Sequence, residues 1–387
     1  MDRLKVLFVT TWYPTKKEPA GGVFVREHAK AVELYDDINV IHCVGPDQNL
    51  GKLWRMQLEM DENLTKGIPT YRLCYRPFPI PKIWYLMHIW AVFQAFRRIV
   101  SRGFDPDIIH AHTYDAGVPA VLIGKVHGIP VVVTEHTTAF PRKLVGGLGV
   151  FTARFAFERA EIVMPVSKSL QKAIEAYGIK AHFQIIPNVV DTNLFSPSLV
   201  PLAKDGSKRL LFVGLLGPSH KKGIPQLLSA LALLRECRDD WHLDVIGDGP
   251  LRLEYELMAE GLGLGDKVTI HGFKAKEEVA EFMRHADIFV LPSLFETFSV
   301  VAAEALATGL PVLATRCGGP EEFITDDVGL LVAPGDAKAL CEGLVFILDN
   351  FPFASRKQIH HYARGLFSPT VVGAKLHKAY HSLMPAN

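Results

Sequence analysis

The sequence predicts an α/β protein with two doubly wound parallel sheets, one in each half of the chain. Short apolar runs of strand length alternate with longer segments of helical periodicity throughout the 387 residues. The runs are apolar at nearly every position, which suits parallel strands covered by helices on both faces. The alternation is complete in each half, and a chain of this length is too long for one ordinary core. Right-handed crossovers then make each half a Rossmann-like domain.

Apolar runs define the predicted strands, and the periodic segments between them define the helices. In the first half the strands are 5–10, 39–44, 107–111, 130–134 and 161–166, and the helices include 24–34 and 115–126. In the second half the strands are 209–213, 242–246, 267–271, 288–291 and 311–314, and the helices include 226–235, 251–260 and 300–307. Proline, glycine and small polar residues interrupt the pattern at 193–208. We therefore expect domains over 1–195 and 205–366 that face each other across a cleft, with ligands at the carboxyl ends of the strands.

Composition narrows the class of protein. The formal net charge is only +1, whereas a general nucleic-acid binder normally carries a basic excess. The cysteines are odd in number and scattered, which argues against a disulfide framework or a zinc knuckle and for a reducing compartment. They are Cys43, Cys74, Cys237, Cys317 and Cys341. The first ten residues suit a buried strand better than a signal peptide, and no apolar run reaches the roughly 20 residues that a bilayer crossing needs. We expect a cytoplasmic protein that binds no nucleic acid.

The segment 292–336 carries the most information about function. It reads PSLFETFSVVAAEALATGLPVLATRCGGPEEFI and continues to GLLVAPGD. A strand ends just before it, a turn carries Glu296, and a helix begins near Ser299 and includes Glu304. The start of a helix offers unpaired N–H groups and the positive end of the helix dipole, which suit a diphosphate. Taken alone, Glu304 is most simply a solvent-facing helical glutamate, so the assignment depends on the whole segment.

This segment resembles the signature of glycosyltransferase family 4: a Glu, seven residues, Glu-Ala, a Gly-x-Pro-Val strand and a Gly-Gly turn. The resemblance implies a GT-B fold and a retaining, metal-independent transfer of sugar from a nucleotide diphospho-sugar. It implies that Glu296 contacts the donor sugar and that Glu304 holds the ribose. Phe298, Ser299 and Val300 complete the donor-binding set here, and Ser299 stands where the family usually has Gly.

The loop 213–223 follows the first strand of the second half. The family places an Arg just after the first glycine, here Gly214, and a Lys before the last glycine, and both contact the pyrophosphate. Lys222 matches the lysine, whereas Leu215 stands at the arginine position, and Lys221 or His220 is the candidate substitute. A lysine-bearing surface loop is the simpler interpretation if the resemblance is set aside.

Two further loops of the second half belong to the predicted donor site. Gly247 opens a Gly-Asp-Gly turn, which is also ordinary turn chemistry. Phe273 follows the strand 267–271, where the family seats the base through backbone contacts. These residues do not separate uracil from guanine; we expect UDP, with GDP as the alternative.

The first half supplies glycines and histidines. Gly21 and Gly22 join the first strand to its helix, where they serve either close approach of phosphate or the turn alone. His136 follows a strand at the place where the family has a His beside the donor sugar, so we expect a catalytic role. His110 and His112 lie two residues apart on one face of a strand, and His112 is expected to line the acceptor side. A metal site is set aside because no carboxylate or cysteine ligands accompany these histidines.

Aromatic and basic residues crowd the segment 75–102. Two interpretations stand: an internal helix that is apolar because it is buried, and a face that meets an anionic membrane and a lipid-linked acceptor. The second interpretation places the protein on the inner face of the cell membrane. The resemblance also implies that the last helix, within 367–387, crosses back onto the first domain.

We therefore expect a hexosyltransferase-type enzyme that needs no cofactor and builds polysaccharide on a saccharide or polyprenyl-linked acceptor. Lys222, Glu296 and His136 are the predicted catalytic residues. A nucleotide-sugar epimerase on the same fold would act on the donor without an acceptor. A phosphorylase-like enzyme would need a pyridoxal-bearing lysine, for which no local signature exists. A non-catalytic binding protein is favoured by Leu215 alone.

Overall fold

The computed structural model of the chain describes residues 2–76, 84–198, 206–349 and 354–385. The chain divides into two compact units, the first formed by residues 1–189 with 369–387 and the second by residues 190–368. Each unit is a mainly parallel sheet with helices packed on it, so the predicted α/β fold class with two such domains is confirmed.

The described part of the first unit contains one sheet with the strand order β3-β4-β2-β1-β5-β6-β7. Its strands are β1 (Lys5–Thr10), β2 (Asp37–Pro46), β3 (Trp54–Glu59), β4 (Thr70–Tyr75), β5 (Ile108–His112), β6 (Val131–Glu135) and β7 (Ile162–Pro165). Strands β5, β6 and β7 are buried at every position, as the continuous apolar runs predict. The sequence gives no such signal for β3, an exposed edge strand that pairs antiparallel with β4.

Helices cover the first sheet, and the last one returns to it from the end of the chain. They are α1 (Val23–Glu33), α2 (Trp84–Val100), α3 (Tyr114–His127), α4 (Gly147–Phe157), α5 (Lys168–Glu175) and α12 (Pro369–His381). Helix α12 approaches α1 so closely that a Cβ on Gly373 would lie 2.2 Å from the Ala31 carbonyl oxygen. The buried Asp36 carboxylate accepts hydrogen bonds from the Leu4 N–H at 3.0 Å and from His377 Nδ1 at 2.9 Å. This contact confirms the predicted return of the last helix to the first unit.

The second unit holds a parallel sheet in the order β10-β9-β8-β11-β12-β13 over its described residues. Its strands are β8 (Lys208–Val213), β9 (Trp241–Ile246), β10 (Val268–Ile270), β11 (Ile288–Leu291), β12 (Val312–Thr315) and β13 (Gly329–Val332). Its helices are α6 (Ile224–Arg235), α7 (Arg252–Gly261), α8 (Lys276–His285), α9 (Val300–Ala307), α10 (Ala337–Asp349) and α11 (Arg356–Phe367). Each strand predicted for this half is present, and α9 has the predicted bounds.

The segment 75–102 is described except for 77–83, which lie outside the described residues. Helix α2 buries one face, including Val92 and Phe96, against the sheet and exposes Leu86, Trp90 and Arg97 on the other. The segment thus has a packed inner face, as the buried-helix interpretation requires, and an outer apolar and basic face. Over the ranges that the structure describes, no helix combines the length and apolarity that a membrane crossing demands.

Candidate active site

Glycines bring together the loops that follow β8, β9 and β10. The Gly247 N–H donates to the Gly272 carbonyl at 2.9 Å, and the Gly214 N–H donates to the Ile246 carbonyl at 2.9 Å. A Cβ on Gly247 would lie 1.9 Å from the Gly214 carbonyl oxygen, and its φ of 155° lies in the region that favours glycine. Backbone therefore packs on backbone at the carboxyl ends of these strands.

The loop after β8 ends in a short 3₁₀ turn, His220–Lys222, followed by Gly223. Gly223 has a φ of 70°, and a Cβ there would lie 1.8 Å from the Pro292 carbonyl oxygen. The Lys221 carbonyl accepts a hydrogen bond of 2.8 Å from the Leu294 N–H. These contacts hold the lysine-bearing turn against the segment that follows β11.

That packing produces an ion pair between two of the predicted catalytic residues. Lys222 Nζ lies 2.7 Å from Glu296 Oε1, and the two side chains are 22% and 10% exposed. Ser293 Oγ donates to the same carboxylate oxygen at 2.9 Å. The Glu296 N–H donates to the Cys317 carbonyl at 2.8 Å, and the Glu296 carbonyl accepts from the Gly319 N–H at 2.9 Å. Glu296 is therefore fixed through both its backbone and its side chain.

Ser299 precedes α9 in a conformation that explains why the family prefers glycine there. Its φ is 70° and its ψ is 83°, a left-handed conformation that L side chains adopt rarely. Its Oγ is buried and has no hydrogen-bond partner among the described residues. The first N–H groups of α9, beginning at Val300, have no acceptor within the helix by helix geometry. The Phe298 ring, in contrast, packs against Phe323 and Phe367 and belongs to the core.

The rest of the predicted donor set differs in exposure. Glu304 is 5% exposed, so the solvent-facing interpretation of this helical glutamate is wrong, and its Oε1 lies 3.6 Å from Lys276 Nζ. Phe273 is 65% exposed and Leu215 is 68% exposed. His220, one candidate substitute for the missing arginine, is held by a 3.1 Å hydrogen bond between its Nδ1 and the Tyr255 hydroxyl.

In the first unit, steric contact accounts for one of the two predicted glycines. Gly22 has a φ of 65°, and a Cβ on it would lie 2.4 Å from the Trp12 carbonyl carbon and the Tyr13 nitrogen. The turn therefore requires glycine at Gly22 whether or not a ligand binds. Gly21 is less crowded, with its nearest contact 3.3 Å away at the Glu18 carbonyl oxygen.

Buried histidines meet where β5 and β6 end. His112 Nδ1 lies 3.1 Å from His136 Nε2, and the two rings are stacked with their centroids 5.4 Å apart. His28, from α1, completes the group with its ring centroid 5.7 Å from that of His112 and 5.6 Å from that of His136. His110 is directed elsewhere, to the Tyr380 hydroxyl and to Thr134 Oγ1, each at 2.7 Å.

These imidazoles are neutral at physiological pH. Burial lowers the pKa of His28 to about 4, although its contacts with Pro187 and Glu27 act in the opposite direction. Burial, followed by the charges of neighbouring histidines, holds the pKa of His112 and of His136 well below the ordinary value. Each of His28, His112 and His136 offers one ring nitrogen, and the three nitrogens lie within 4.8 Å of one another.

Glu135 supports this corner of the first unit. Its carboxylate accepts hydrogen bonds from the backbone N–H groups of Tyr114, His136 and Thr137 at 3.0, 2.9 and 2.7 Å. Burial raises the pKa of Glu135 to about 7, and these three hydrogen bonds act against that rise. Glu135 thus joins the start of α3 to the residues that follow β6.

Two family profiles match the chain, one on each half. The profile described as Glycosyl transferases group 1 matches residues 200–365, and the profile described as Glycosyltransferase Family 4 matches residues 55–194. Both profiles describe glycosyltransferases, and the chain is a glycosyltransferase. The first profile spans the loops around Lys222 and Glu296, and the second spans the strands that end at His112 and before His136.

Individual relatives agree with this assignment. A Bacillus subtilis (strain 168) protein named as a teichuronic acid biosynthesis glycosyltransferase, TuaC, is 29% identical over 88% of both chains. A D-inositol 3-phosphate glycosyltransferase of Arthrobacter sp. (strain FB24) is 32% identical over 58% of both chains. The crystal structure of Anabaena Alr3699/HepE in complex with UDP has a TM-score of 0.77 and 21% identity, covering 98% of this chain and 100% of that one. The same Anabaena protein is also known in complex with UDP-glucose. These structures share the GT-B fold of this glycosyltransferase.

Sequence reasoning missed several residues that complete the two sites. Ser293 contacts Glu296 and Lys276 contacts Glu304. Ser293 lies in the segment 292–336 but was given no role there, and Lys276 lies outside every motif that we identified. Glu135 stands beside His136 in the sequence and was the easiest to find. His28 lies 84 residues before His112, and no spacing along the chain signals that the two meet. In this glycosyltransferase, the contact between His28 and His112 follows from the topology of the sheet and not from a local motif.

Proposed function

We propose that this glycosyltransferase moves a sugar from a UDP-sugar to a saccharide or lipid-linked saccharide, with retention of anomeric configuration. The contact between Lys222 and Glu296, 2.7 Å apart beside the segment that leads into α9, carries the proposal. A cation and a carboxylate held together in this way suit a donor that has a diphosphate and a sugar hydroxyl group side by side.

Lys222 and the start of α9 are proposed to stabilise the leaving diphosphate. Negative charge grows on that group as the glycosidic bond breaks, so a fixed cation and unpaired N–H groups bind it more tightly in the transition state. One such preorganised group is worth about 2.7–4 kcal/mol. Ser299 and Val300 supply the backbone, and Lys221 and Gly214 lie on the loop that carries Lys222. Glu296 orients the sugar.

Glu304 and Phe273 are proposed to hold the nucleoside. The buried Glu304 carboxylate accepts the two ribose hydroxyls, and Lys276 Nζ, 3.6 Å away, places a positive charge beside that carboxylate. Phe273 and Gly247 line the base, where the exposed ring offers an apolar face. UDP is preferred because the Anabaena protein of the same fold binds UDP and UDP-glucose.

The first unit is proposed to supply the groups at the sugar and the acceptor. His136 is the candidate contact for the donor sugar, His112 lies behind it, and Gly21 and Gly22 form the adjoining turn. The name of TuaC, a relative that covers 88% of the chain, favours an envelope polysaccharide as the acceptor.

A lipid-linked acceptor would be met at a membrane, and we propose the outer face of α2 as a peripheral contact on the cytoplasmic side. Leu86 and Trp90 are exposed there, Trp54 contacts Trp90 edge to face, and Arg97 adds positive charge. Replacing Trp90 and Arg97 with Ala should reduce co-sedimentation with anionic vesicles. Replacing the exposed Leu257 of the second unit should not.

Thermal shift with a panel of UDP, GDP, ADP and CMP tests the donor site. A ligand at about 100 times its dissociation constant stabilises the native state by about 2.7 kcal/mol, or about 2–4 °C for a domain of this size. We expect a shift with UDP that is lost in Glu304→Ala and kept in Glu342→Ala, which removes an exposed helical glutamate of the same unit. No shift with any nucleotide would overturn the donor assignment. NMR of the product's anomeric proton then tests retention.

One observation favours a second function, a nucleotide-sugar binding protein that does not catalyse transfer. Leu215 is exposed at the position where the family has an arginine on the pyrophosphate. UDP binding without transfer or hydrolysis would support this alternative. Conversion of the donor sugar in the absence of any acceptor would instead identify an epimerase.

A further inference from the structure

We propose that His28, His112 and His136 form a binding site for one divalent transition-metal cation of the zinc type. The three side chains come from α1, β5 and the residue after β6, and each offers a ring nitrogen within 4.8 Å of the other two. The sequence argued against a metal at His110, His112 and His136 because no carboxylate or cysteine ligands accompany them. In the structure, His110 is hydrogen-bonded to Tyr380 and Thr134, and His28 is the third histidine of the group instead.

The distances suit a shared ion. Zinc binds imidazole nitrogen at about 2.0–2.1 Å, so two nitrogens on one tetrahedral ion lie about 3.3 Å apart. His112 Nδ1 and His136 Nε2 are 3.1 Å apart. This separation also fits a direct hydrogen bond between the two rings. The third histidine, His28, therefore decides between a shared metal ion and a hydrogen bond.

His28 has the tautomer and the orientation of a metal ligand. Its Nε2 lies 3.0 Å from the Pro187 carbonyl, which can only accept, so Nε2 carries the proton and Nδ1 keeps its lone pair. That Nδ1 is buried and has no hydrogen-bond partner among the described residues. A backbone carbonyl that fixes the far nitrogen is the usual support of a metal-bound imidazole.

A buried nitrogen without a partner costs about 1–3 kcal/mol, and within the described residues His28 Nδ1 is such an atom. Coordination of the ion uses the Nδ1 lone pair of His28. Because burial keeps the pKa of these imidazoles low, no proton needs to leave before the ion binds. Three histidines leave the fourth zinc position to water, as in other three-histidine zinc sites.

Cobalt titration of the chelator-stripped full-length protein tests the site without donor or acceptor. We expect one Co²⁺ per chain with the intense visible bands of tetrahedral coordination, displaced by an equal amount of Zn²⁺. Replacing His28 with Gln keeps a donor for the Pro187 carbonyl but removes the ligand lone pair. We expect more than about 100-fold weaker binding, beyond the 10–100-fold typical of a lost supporting contact.

His361→Gln is the matched control, because His361 is an exposed histidine of the second unit. Unchanged affinity in His28→Gln, equal loss in both variants, or an octahedral cobalt spectrum would each overturn the site. If His28→Gln does not fold, X-ray absorption of the wild-type cobalt complex decides. Three imidazole ligands support the site, and two or fewer contradict it.

Discussion

The two units place opposite kinds of chemistry at the carboxyl ends of their sheets. The first unit gathers neutral, buried imidazoles, whereas the second pairs a lysine with a carboxylate that stays partly open to solvent. Both units nevertheless share one device. Thr113 follows β5 and Ser299 precedes α9, and these two non-glycine residues have φ values of 75° and 70°. Each stands directly before a helix. The side-chain hydroxyl of each is buried and has no hydrogen-bond partner among the described residues.

This difference matters because burial acts on the two kinds of group in different ways. An imidazole becomes neutral when it is buried and keeps a lone pair for hydrogen bonds or metal. A partly buried carboxylate is stabilised by a nearby cation and by hydrogen-bond donors, and Lys222 and Ser293 make such contacts with Glu296. This contrast supports our proposals that a charged diphosphate binds to the second unit and that a neutral sugar or a metal ion binds to the first.

Acidification should produce the largest difference in stability between the two units. Burial lowers the pKa of His28 and His88 to about 4 and, with Arg72 second, lowers that of His42 to about 3. The unfolded chain then binds more protons below pH 6.5, so stability present at pH 7 is lost as the pH falls, by about 2 kcal/mol per histidine at pH 5. Glu135, with its pKa raised to about 7, has the opposite sign and offsets about 2 kcal/mol of this loss.

Hydrogen exchange at pH 7.5 and pH 5, corrected for intrinsic rates, measures this effect in each unit. We expect residues 1–189 to lose protection while residues 190–368 keep it. His88→Phe, outside the candidate site, should recover about 2 kcal/mol of the acid loss, since it removes one buried titration. Earlier loss of protection in the second unit would reverse the comparison.

The ion pair of the second unit should dominate catalysis. Lys222→Met removes a cation at the proposed diphosphate, and we expect kcat to fall by about 10²–10³, equivalent to about 2.7–4 kcal/mol. Lys338→Met, which removes an exposed lysine of the same unit, is the control and should keep the wild-type rate. Steady-state transfer assays with a UDP-sugar measure both. Wild-type turnover in Lys222→Met would contradict the proposal that the lysine of the second unit stabilises the leaving diphosphate.

Backbone packing in the second unit should tolerate no side chain at Gly223. A Cβ there would lie 1.8 Å from the Pro292 carbonyl oxygen, so Gly223→Ala must move the loop that carries Lys222. We expect more than about 3 kcal/mol of lost stability by urea unfolding, as for other overpacked sites. Gly128→Ala has the same sign of φ, 69°, but open space around it, and should cost only about 1 kcal/mol. Equal costs would show that conformation, and not close packing, sets the requirement.

The sequence predicted the second unit better than the first, for a physical reason. Parallel strands that are buried on both faces, such as β11, are recognisable in the sequence as continuous apolar runs, whereas the exposed edge strand β3 has no such run. Glu296 and Lys222 were identified from local motifs because each lies in a characteristic loop. His28 has no motif, and only the packing of α1 on the sheet brings it to His112. Whether these residues act as proposed stays a prediction.

The smallest expected effect tests the device that the two units share. Ser299→Gly relieves a left-handed conformation and removes a buried, unpartnered hydroxyl, and glycine's greater freedom in the unfolded chain offsets part of the gain. We expect a net stabilisation of about 1 kcal/mol by urea unfolding. Thr113→Gly should gain more, since Thr113 is β-branched and its ψ of 153° lies in a region reserved almost entirely for glycine. If the two gains rank in the other order, strain is greater at the charged site than at the histidine site, and the first unit is the less constrained of the two.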